Sequence, residues 1–314
     1  MQNKFNVKDS SLSFILAIAI PNVLAFFLLF IAGSFTDIKT IENTTFYKIM
    51  ATLLSQVSFA LVYFYIIKKN KISFTKSVKV SKVNFKQVFI TLLIALVCLF
   101  LISPIINVFD SFLINIGVSE QTLPIDLTKI ENLLYLIFAL GILAPVTEEF
   151  LFRGIILSGL ENKGEKTAVL ISSLMFCIMH LSLHQTLYQF ILGVILALVM
   201  LCTKNIFMPI LVHFVNNTFV LLINYISPSF FDYNFLSLNY IILAVTLFIL
   251  GLITICILVR MLKKHKPQEK IQSENKMENI NVINENNIND KNNLLNVSLI
   301  FGFVMWVITV ILSL

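Results

Sequence analysis

The sequence predicts an all-α membrane protein, a polytopic transmembrane helix bundle of about eight core helices with one appended C-terminal helix. Two observations on composition support this prediction, because 58% of the 314 residues are hydrophobic and only 13% are charged. The third observation is length, since the apolar segments approach the roughly 20 residues that a helix needs to cross a bilayer. The nine apolar segments are 12–33, 46–67, 87–109, 132–158, 167–183, 186–203, 206–226, 238–259 and 297–314.

The first three segments and their connections form a predicted N-terminal part, residues 1–130. The connection 68–86 is rich in lysine and contains no acidic residue, and further basic residues follow the eighth segment. Basic loops stay in the cytoplasm, so both connections are expected there, with the acid-leaning connections on the other side. We therefore expect a multi-pass protein of the cell membrane with a cytoplasmic N-terminus and an external C-terminus. The lysines of the connection are Lys68, Lys69, Lys71, Lys76, Lys79, Lys82 and Lys86.

The central part, residues 131–261, is predicted to be a helical core. The net charge of +6 is sorted by loop rather than gathered on one face, so we expect the lipid bilayer as a partner and no nucleic acid. The four cysteines lie in apolar segments without a CxxC or metal-ligand spacing, which is typical of small core residues.

The last part of the chain has a different composition. Residues 262–296 contain ten asparagines between Asn275 and Asn296 and few apolar side chains. Such a segment cannot bury enough surface to offset its ordering entropy, so we expect a disordered linker. Residues 297–314 are predicted to form a C-terminal transmembrane helix that lies apart from the core.

Three ionisable side chains interrupt the fourth apolar segment: Glu148, Glu149 and Arg153. A charge at membrane depth is costly, so such residues usually face a cavity or a partner, and a functional site is the default hypothesis. Helical spacing puts Glu149 and Arg153 on one face, whereas Glu148 is rotated away from them. We interpret Glu149 and Arg153 as a structural ion pair and Glu148 as the carboxylate left for chemistry. The alternative is that both glutamates only mark a helix end at the interface.

Three more polar residues in later segments reach a similar depth: His180, His213 and Asn217. Counting about 1.5 Å per residue from the basic helix ends brings all three, with Glu148, toward the middle of the membrane. Each alone could be a hydrogen-bonded residue that ties helices together. Together they favour an intramembrane polar site, because unpaired polar groups in hydrocarbon cost several kcal/mol apiece.

These residues fall into three motifs. They are Glu148-Glu149-Phe150-Leu151-Phe152-Arg153, Phe176-Cys177-Ile178-Met179-His180 and His213-Phe214-Val215-Asn216-Asn217. In this order they resemble the Glu-Glu-x-x-x-Arg, Phe-x-x-x-His and His-x-x-x-Asn signatures of the CAAX-protease and bacteriocin-processing (Abi) family of intramembrane proteases.

The resemblance implies a glutamate-type intramembrane protease whose catalytic core is residues 131–261. By similarity, Glu148 is the general base, and His180 holds the attacking water. His213 and Asn217 bind the oxyanion, while Glu149 and Arg153 organise the site. The implied substrate is a membrane-anchored peptide or protein.

Other readings of the same residues remain open. One is a zinc-dependent protease with Glu148, His180 and His213 as ligands. Because the His-Glu-x-x-His pattern common in zinc proteases is absent, we expect catalysis without a metal or other cofactor. A non-catalytic immunity, scaffold or transport protein is the remaining alternative, although inverted repeats or matching broken helices, typical of transporters, are not evident.

Overall fold

The computed structural model describes residues 5–34, 44–119, 125–127, 129–227, 235–264 and 285–312. In this part of the chain, all nine predicted segments are helical, so the structure is a helix bundle as expected. A short helical turn, Phe74–Ser77, precedes the third long helix. The long helices are α1 (Val7–Gly33), α2 (Thr45–Lys69), α3 (Phe85–Asn115), α4 (Ile130–Lys163), α5 (Glu165–Met179), α6 (Leu183–Thr203), α7 (Phe207–Ile226), α8 (Leu238–Lys264) and α9 (Glu285–Leu312).

Eight of these helices are long and apolar enough to cross a membrane. The exception is α5, whose 15 residues span about 22 Å, short of the roughly 30 Å hydrocarbon core. The protein is therefore an integral, multi-pass membrane protein.

The hairpin between α5 and α6 explains why α5 is shorter than predicted. The apolar pattern continues to residue 183, but the helix ends at Met179, and His180 is its C-terminal cap. Leu181 has a left-handed φ of 49°, which reverses the chain direction. The Ser182 side chain then accepts a hydrogen bond from the backbone N–H of Gln185 and so begins α6. His180 consequently lies at the tip of this hairpin.

Local capping also sets the start of α1, which begins at Val7 rather than near residue 12. Asn6 and Asp9 form a capping box, in which each side chain binds the other residue's backbone N–H. These bonds satisfy donors that the first helical turn would otherwise leave unpaired. The polar residues before the apolar segment therefore belong to the helix.

Contacts between loops show which helix ends lie together at each of the two ends of the bundle. Asp9 at the start of α1 accepts a hydrogen bond from Asn70 just after α2, and Lys79 pairs with Glu161 at 2.8 Å. An antiparallel bridge joins the loop before α3 to the turn between α6 and α7. The connections that the sequence predicts to be cytoplasmic thus share one end, which we call the basic end. At the opposite end, the last turns of α3 contact the start of α6.

The bundle packs around two main apolar clusters, and α6 contributes to both. The first is built mainly from α1, α2, α4 and α5, with α9 at its edge. The second is built mainly from α3, α6, α7 and α8. The face of α4 that carries the acidic pair is therefore covered by neighbouring helices and does not contact lipid.

Gly159 provides a test of the packing between α4 and α1. A Cβ atom built on Gly159 would lie 2.5 Å from the backbone oxygen of Asn6 and would overlap the Ser10 hydroxyl. We expect Gly159→Ala to lower the free energy of unfolding by about 1–3 kcal/mol, because backbone atoms cannot move aside cheaply. Thermal unfolding in detergent measures the effect, with the exposed Ile142→Ala on the same helix as the control. Equal melting temperatures for Gly159→Ala and the native protein would contradict this packing.

Helix α9 lies at the edge of the bundle but packs closely against it. A Cβ on Gly302 would lie 2.6 Å from ring atoms of Phe14 in α1 and 3.1 Å from the Ile178 side chain in α5. Leu295 and Ser298 are buried. The helix is appended, as predicted, yet the expectation that it stands apart from the core needs correction, because small and apolar residues on one face allow close approach.

The predicted linker is shorter in the structure. Residues 262–264 complete α8, and residues 285–296 belong to α9, so both margins of the segment 262–296 are helical. The helices α8 and α9 therefore extend into the basic and asparagine-rich segment, and the change in composition does not coincide with their ends. Residues 265–284 lie outside the described part of the chain, and the predicted disorder is untested there.

Candidate active site

The backbone of α4 changes its winding on both sides of the acidic pair. The short α-helical stretch Ala144–Glu149 follows a π-helical segment, Ile137–Leu143, and precedes a second one, Phe150–Ile156. π-Helical turns in longer helices occur frequently at functional sites. Sequence periodicity gave no sign of them, because the segment is apolar throughout. The two glutamates therefore lie in a short α-helical stretch between two π-helical segments.

Glu149 and Arg153 are in direct contact, with Arg153 Nε 3.0 Å from Glu149 Oε2. The glutamate side chain is fully buried and the arginine side chain is 2% exposed, so bulk water screens neither charge. Arg153 Nη2 also donates to the carbonyl oxygen of Gly193 in α6 at 3.1 Å. Its guanidinium carbon lies 4.6 Å from the ring centre of Phe176 in α5. The arginine thereby connects α4 to α5 and α6.

Glu149 has a second partner on α7. Its Oε1 accepts a hydrogen bond from His213 Nδ1 at 3.0 Å. A carboxylate can only accept here, so Nδ1 carries the proton, and the other ring nitrogen points toward Glu148. His213 Nε2 is 4.0 Å from Glu148 Oε2. Glu149 thus links the arginine to the histidine, and through it the site gains a fixed imidazole orientation.

Glu148 is also buried, with 6% of its surface exposed, but its surroundings are different. Its Oε2 has no hydrogen-bond partner among the described residues. The side chain of Gln56 in α2 lies beside it, and the neighbouring Thr147 hydroxyl donates to Gln56 Oε1 at 2.6 Å. A buried carboxylate oxygen without a protein donor is costly unless water or a ligand contacts it. The oxygen is therefore available to a water molecule or a substrate.

His180 approaches the same region from the tip of the α5–α6 hairpin. Its Nδ1 lies 2.7 Å from the carbonyl oxygen of Phe176. Because a carbonyl oxygen only accepts, Nδ1 is the donor, which leaves Nε2 of a neutral ring as a hydrogen-bond acceptor. The imidazole packs edge-on against the Phe176 ring with centroids 4.9 Å apart, and that ring also lies 5.8 Å from His213. The two histidines thus share one aromatic spacer.

Asn217, one turn after His213 on α7, lies less centrally. Its Nδ2 donates to the carbonyl oxygen of Leu140 at 2.9 Å, in the first π-helical segment of α4. In the described structure, it makes no hydrogen bond to the acidic pair, Arg153 or either histidine. One amide N–H and the amide oxygen of Asn217 remain for other partners.

The structure therefore brings four of the six predicted site residues into one contact network and adds His180 through an aromatic ring. The network joins Glu148, Glu149, Arg153 and His213. Asn217 connects to the backbone beside this network rather than to its side chains. These placements are compatible with the predicted roles, which themselves stay predictions.

Three residues of the site were not singled out from the sequence: Gln56, Phe176 and Gly193. Phe176 contacts Arg153 and both histidines, although in the sequence it was only the first residue of the Phe-x-x-x-His motif. Its i,i+4 spacing to His180 was the available signal, since that spacing puts the two rings on one helix face. Gly193 supplies a carbonyl oxygen, and a Cβ there would lie 3.1 Å from Ser173. No spacing in the sequence connects this glycine to Arg153.

Metal binding was predicted to be unnecessary, with Glu148, His180 and His213 as the alternative zinc ligands. Among the described residues, no three His, Cys, Asp or Glu side chains form a group that could hold a metal ion. The metal-free mechanism remains a prediction, and its test is given below.

Comparisons with known proteins find similarity to membrane proteases. Residues 130–219 match the family model described as type II CAAX prenyl endopeptidase Rce1-like. The membrane-embedded CAAX protease MroQ of Staphylococcus aureus (strain USA300) is 32% identical over 100 residues, which cover 30% of this chain and 40% of that protein. YdiL of Bacillus subtilis (strain 168), provisionally described as a membrane peptidase, is 32% identical over 114 residues, which cover 36% and 47%. No solved structure gives a significant match.

These matches cover less than half the length of either relative. The segment matched by the family model contains all six predicted site residues, because Glu148 and Asn217, the first and last of them, both lie inside 130–219. Through this segment, the chain is similar to the CAAX-protease and bacteriocin-processing family of integral membrane proteins.

Proposed function

We propose that the protein is an intramembrane endopeptidase that hydrolyses a peptide bond of a membrane-associated peptide or protein. The observation that carries the proposal is the buried Glu148 Oε2 atom. It has no hydrogen-bond partner among the residues that the structure describes, and it lies 4.0 Å from an imidazole nitrogen that Glu149 orients. A purely structural ion pair does not need a second buried carboxylate. A base that activates water does need one, with an unoccupied acceptor oxygen.

The attacking water is held between Glu148 and His180 in this proposal. Both groups accept hydrogen bonds, since Glu148 is a carboxylate and His180 Nδ1 already donates to a carbonyl. A water that donates both of its protons keeps its lone pairs for attack on the peptide carbonyl carbon. Glu148 takes one proton as the C–O bond forms, then gives it to the leaving amine nitrogen as the C–N bond breaks.

His213 and Asn217 are proposed to stabilise the oxyanion that forms on the carbonyl oxygen. His213 Nδ1 is committed to Glu149, so donation from Nε2 requires an imidazolium with both nitrogens protonated. Glu149 bonds to both Arg153 and His213 and so provides negative charge beside both cations. Asn217 has a second amide N–H beyond the one that binds Leu140. Preorganised donors of this kind are commonly the largest catalytic contribution.

The orientation of the protein is also a proposal. The basic connections share one end of the bundle, and we propose that this end faces the cytoplasm, with the N-terminus inside and the C-terminus outside. Thiol-reactive labelling from either side tests it, using single cysteines at Lys76 and Ser119 in a variant without the four native cysteines. The proposed orientation requires that Lys76→Cys react only from the cytoplasmic side.

The substrate class can be tested with two internally quenched peptides in liposomes containing the purified protein. One carries a farnesylated cysteine near its C-terminus, the substrate class in the name of the matched family model. The other has an apolar membrane-spanning anchor and no lipid. Cleavage of either, identified by mass spectrometry and absent in Glu148→Gln, supports the proposal. A membrane proteome in which no peptide depends on Glu148, together with no cleavage of either reporter, would refute it.

Chelation is expected to leave the activity intact, because the proposed steps use only side chains of this chain and water. Exhaustive treatment with a strong chelator should change the rate of reporter cleavage by less than about twofold. Elemental analysis of the purified protein should find zinc well below one equivalent. Loss of cleavage on chelation and its return on adding zinc would instead assign a metal to Glu148, His180 and His213.

A further inference from the structure

Helix α9 contacts both arms of the hairpin that carries His180. On the α5 arm, a Cβ on Gly302 would lie 3.1 Å from Ile178, two residues before His180. On the α6 arm, Trp306 Nε1 donates a hydrogen bond to Thr186 Oγ1 at 3.2 Å. The tip of the hairpin is therefore fixed from outside by a helix that the proposed chemistry does not use.

Thr186 connects this contact to the hairpin backbone. Its hydroxyl donates to the carbonyl oxygen of Ser182 at 2.7 Å, so the hydroxyl accepts from α9 while it donates to the turn. Its own carbonyl oxygen accepts from Cys177 Sγ at 3.2 Å on the opposite arm. Thr186 therefore joins α5, the turn and α6 at one point.

The turn needs such support because its geometry is strained. Leu181 adopts a left-handed φ of 49°, a conformation unfavourable for a residue with a branched side chain. His180, immediately before it, is held by one hydrogen bond to Phe176 and by ring packing. Small changes in the turn therefore move the imidazole, and displacement of a catalytic group by about 1 Å can cost about 100-fold in rate.

We propose that Trp306 is a positioning residue, which fixes the orientation of His180 through Thr186 and so makes α9 part of the active-site support. The proposal rests on the proposed function of His180 in holding the water. Trp306 itself contacts neither the acidic pair nor the histidines in the described structure.

The test compares substitutions that remove hydrogen bonds and keep most of the side-chain volume. Trp306→Phe keeps an aromatic ring but loses the N–H. Thr186→Val keeps the shape but loses the hydroxyl, and with it the bonds to both Trp306 and Ser182. Thr186→Ser retains the hydroxyl and is the conservative variant. Val304→Ala, on the lipid-exposed side of α9, is the matched control. Each is purified in full length and reconstituted in liposomes with the two reporters described above.

The expected result is a lower kcat with a nearly unchanged KM. Trp306→Phe should lower kcat about fivefold, the size expected for one neutral hydrogen bond, with little change in KM. Thr186→Val should lower kcat at least as much, because it also removes the bond to Ser182. The double variant should be no slower than Thr186→Val, because Thr186→Val already removes the bond to Trp306. Thr186→Ser and Val304→Ala should retain the native kcat.

A second readout does not depend on proteolysis. In protein with ¹⁵N-labelled histidine, the ring signals of His180 should shift in Trp306→Phe, while those of His213 stay unchanged. Unaltered His180 signals with unaltered kcat would overturn the positioning proposal and leave the protease proposal standing. Shifted His180 signals in Trp306→Phe would support the contact even if the native protein cleaved neither reporter and no membrane peptide depended on Glu148, a result that would refute the protease proposal alone.

Discussion

Replacement of Glu148 with glutamine is expected to eliminate peptide cleavage while the protein still inserts and folds. Glutamine has nearly the same shape but cannot take a proton from water, and a positioned base contributes roughly 10²–10⁴-fold in rate. Within the described part of the chain, no group donates a hydrogen bond to Glu148 Oε2, so replacing this oxygen breaks no hydrogen bond seen there. Reporter cleavage and the monodisperse yield after size-exclusion chromatography measure the two effects separately.

A charge-matched control for this experiment lies on the same helix. Glu161 of α4 is partly exposed and pairs with Lys79 at the basic end. Because partly exposed ion pairs contribute little, Glu161→Gln should keep both yield and activity. Substantial cleavage by Glu148→Gln, above about a tenth of the native rate, would exclude Glu148 as the general base.

Glu149→Gln is expected to act mainly on stability. Arg153 would remain buried with its charge no longer balanced, and loss of one partner of a buried ion pair costs about 3–5 kcal/mol. His213 would also lose the charged acceptor that holds its ring. Thermal unfolding in detergent and the folded fraction in membranes should both fall well below those of Glu148→Gln.

A double variant separates the ion pair from other roles of Glu149. Glu149→Gln combined with Arg153→Met removes both charges and keeps similar volumes, so the melting temperature should recover in part. Activity should not recover, because His213 Nδ1 still lacks the carboxylate acceptor at position 149. If the double variant were as unstable as Glu149→Gln, the destabilisation would have a source other than the uncompensated arginine.

Eight of the nine long helices could be predicted because each contains an apolar run long enough to cross a membrane. Their ends could not, since they depend on individual caps and turns. The capping box at Asn6 extends α1, and the left-handed Leu181 shortens α5. The packing of α9 was also out of reach, because one glycine against one phenylalanine leaves no periodic signal in a helix that is apolar on most sides.

The site shows a similar division. The spacing of Glu149 and Arg153 was sufficient to predict their contact, since one helical turn separates them. The link from Glu149 to His213 and the bond from Asn217 to Leu140 depend on how α7 is rotated against α4, which no single-helix pattern encodes. The π-helical segments were equally hidden, because a run of apolar residues fits either winding.

The two π-helical segments of α4 determine how the protein tolerates changes in the length of this helix. In a regular α-helix, deletion of one residue turns everything beyond it by about 100°. A π turn holds roughly one residue more than an α turn, so a deletion within Ile137–Leu143 can be absorbed by a return to α-helical winding. The acidic pair would keep its direction, and only the local carbonyl geometry around Leu140 would change. Relatives one residue shorter in this stretch are therefore expected to keep the same site orientation.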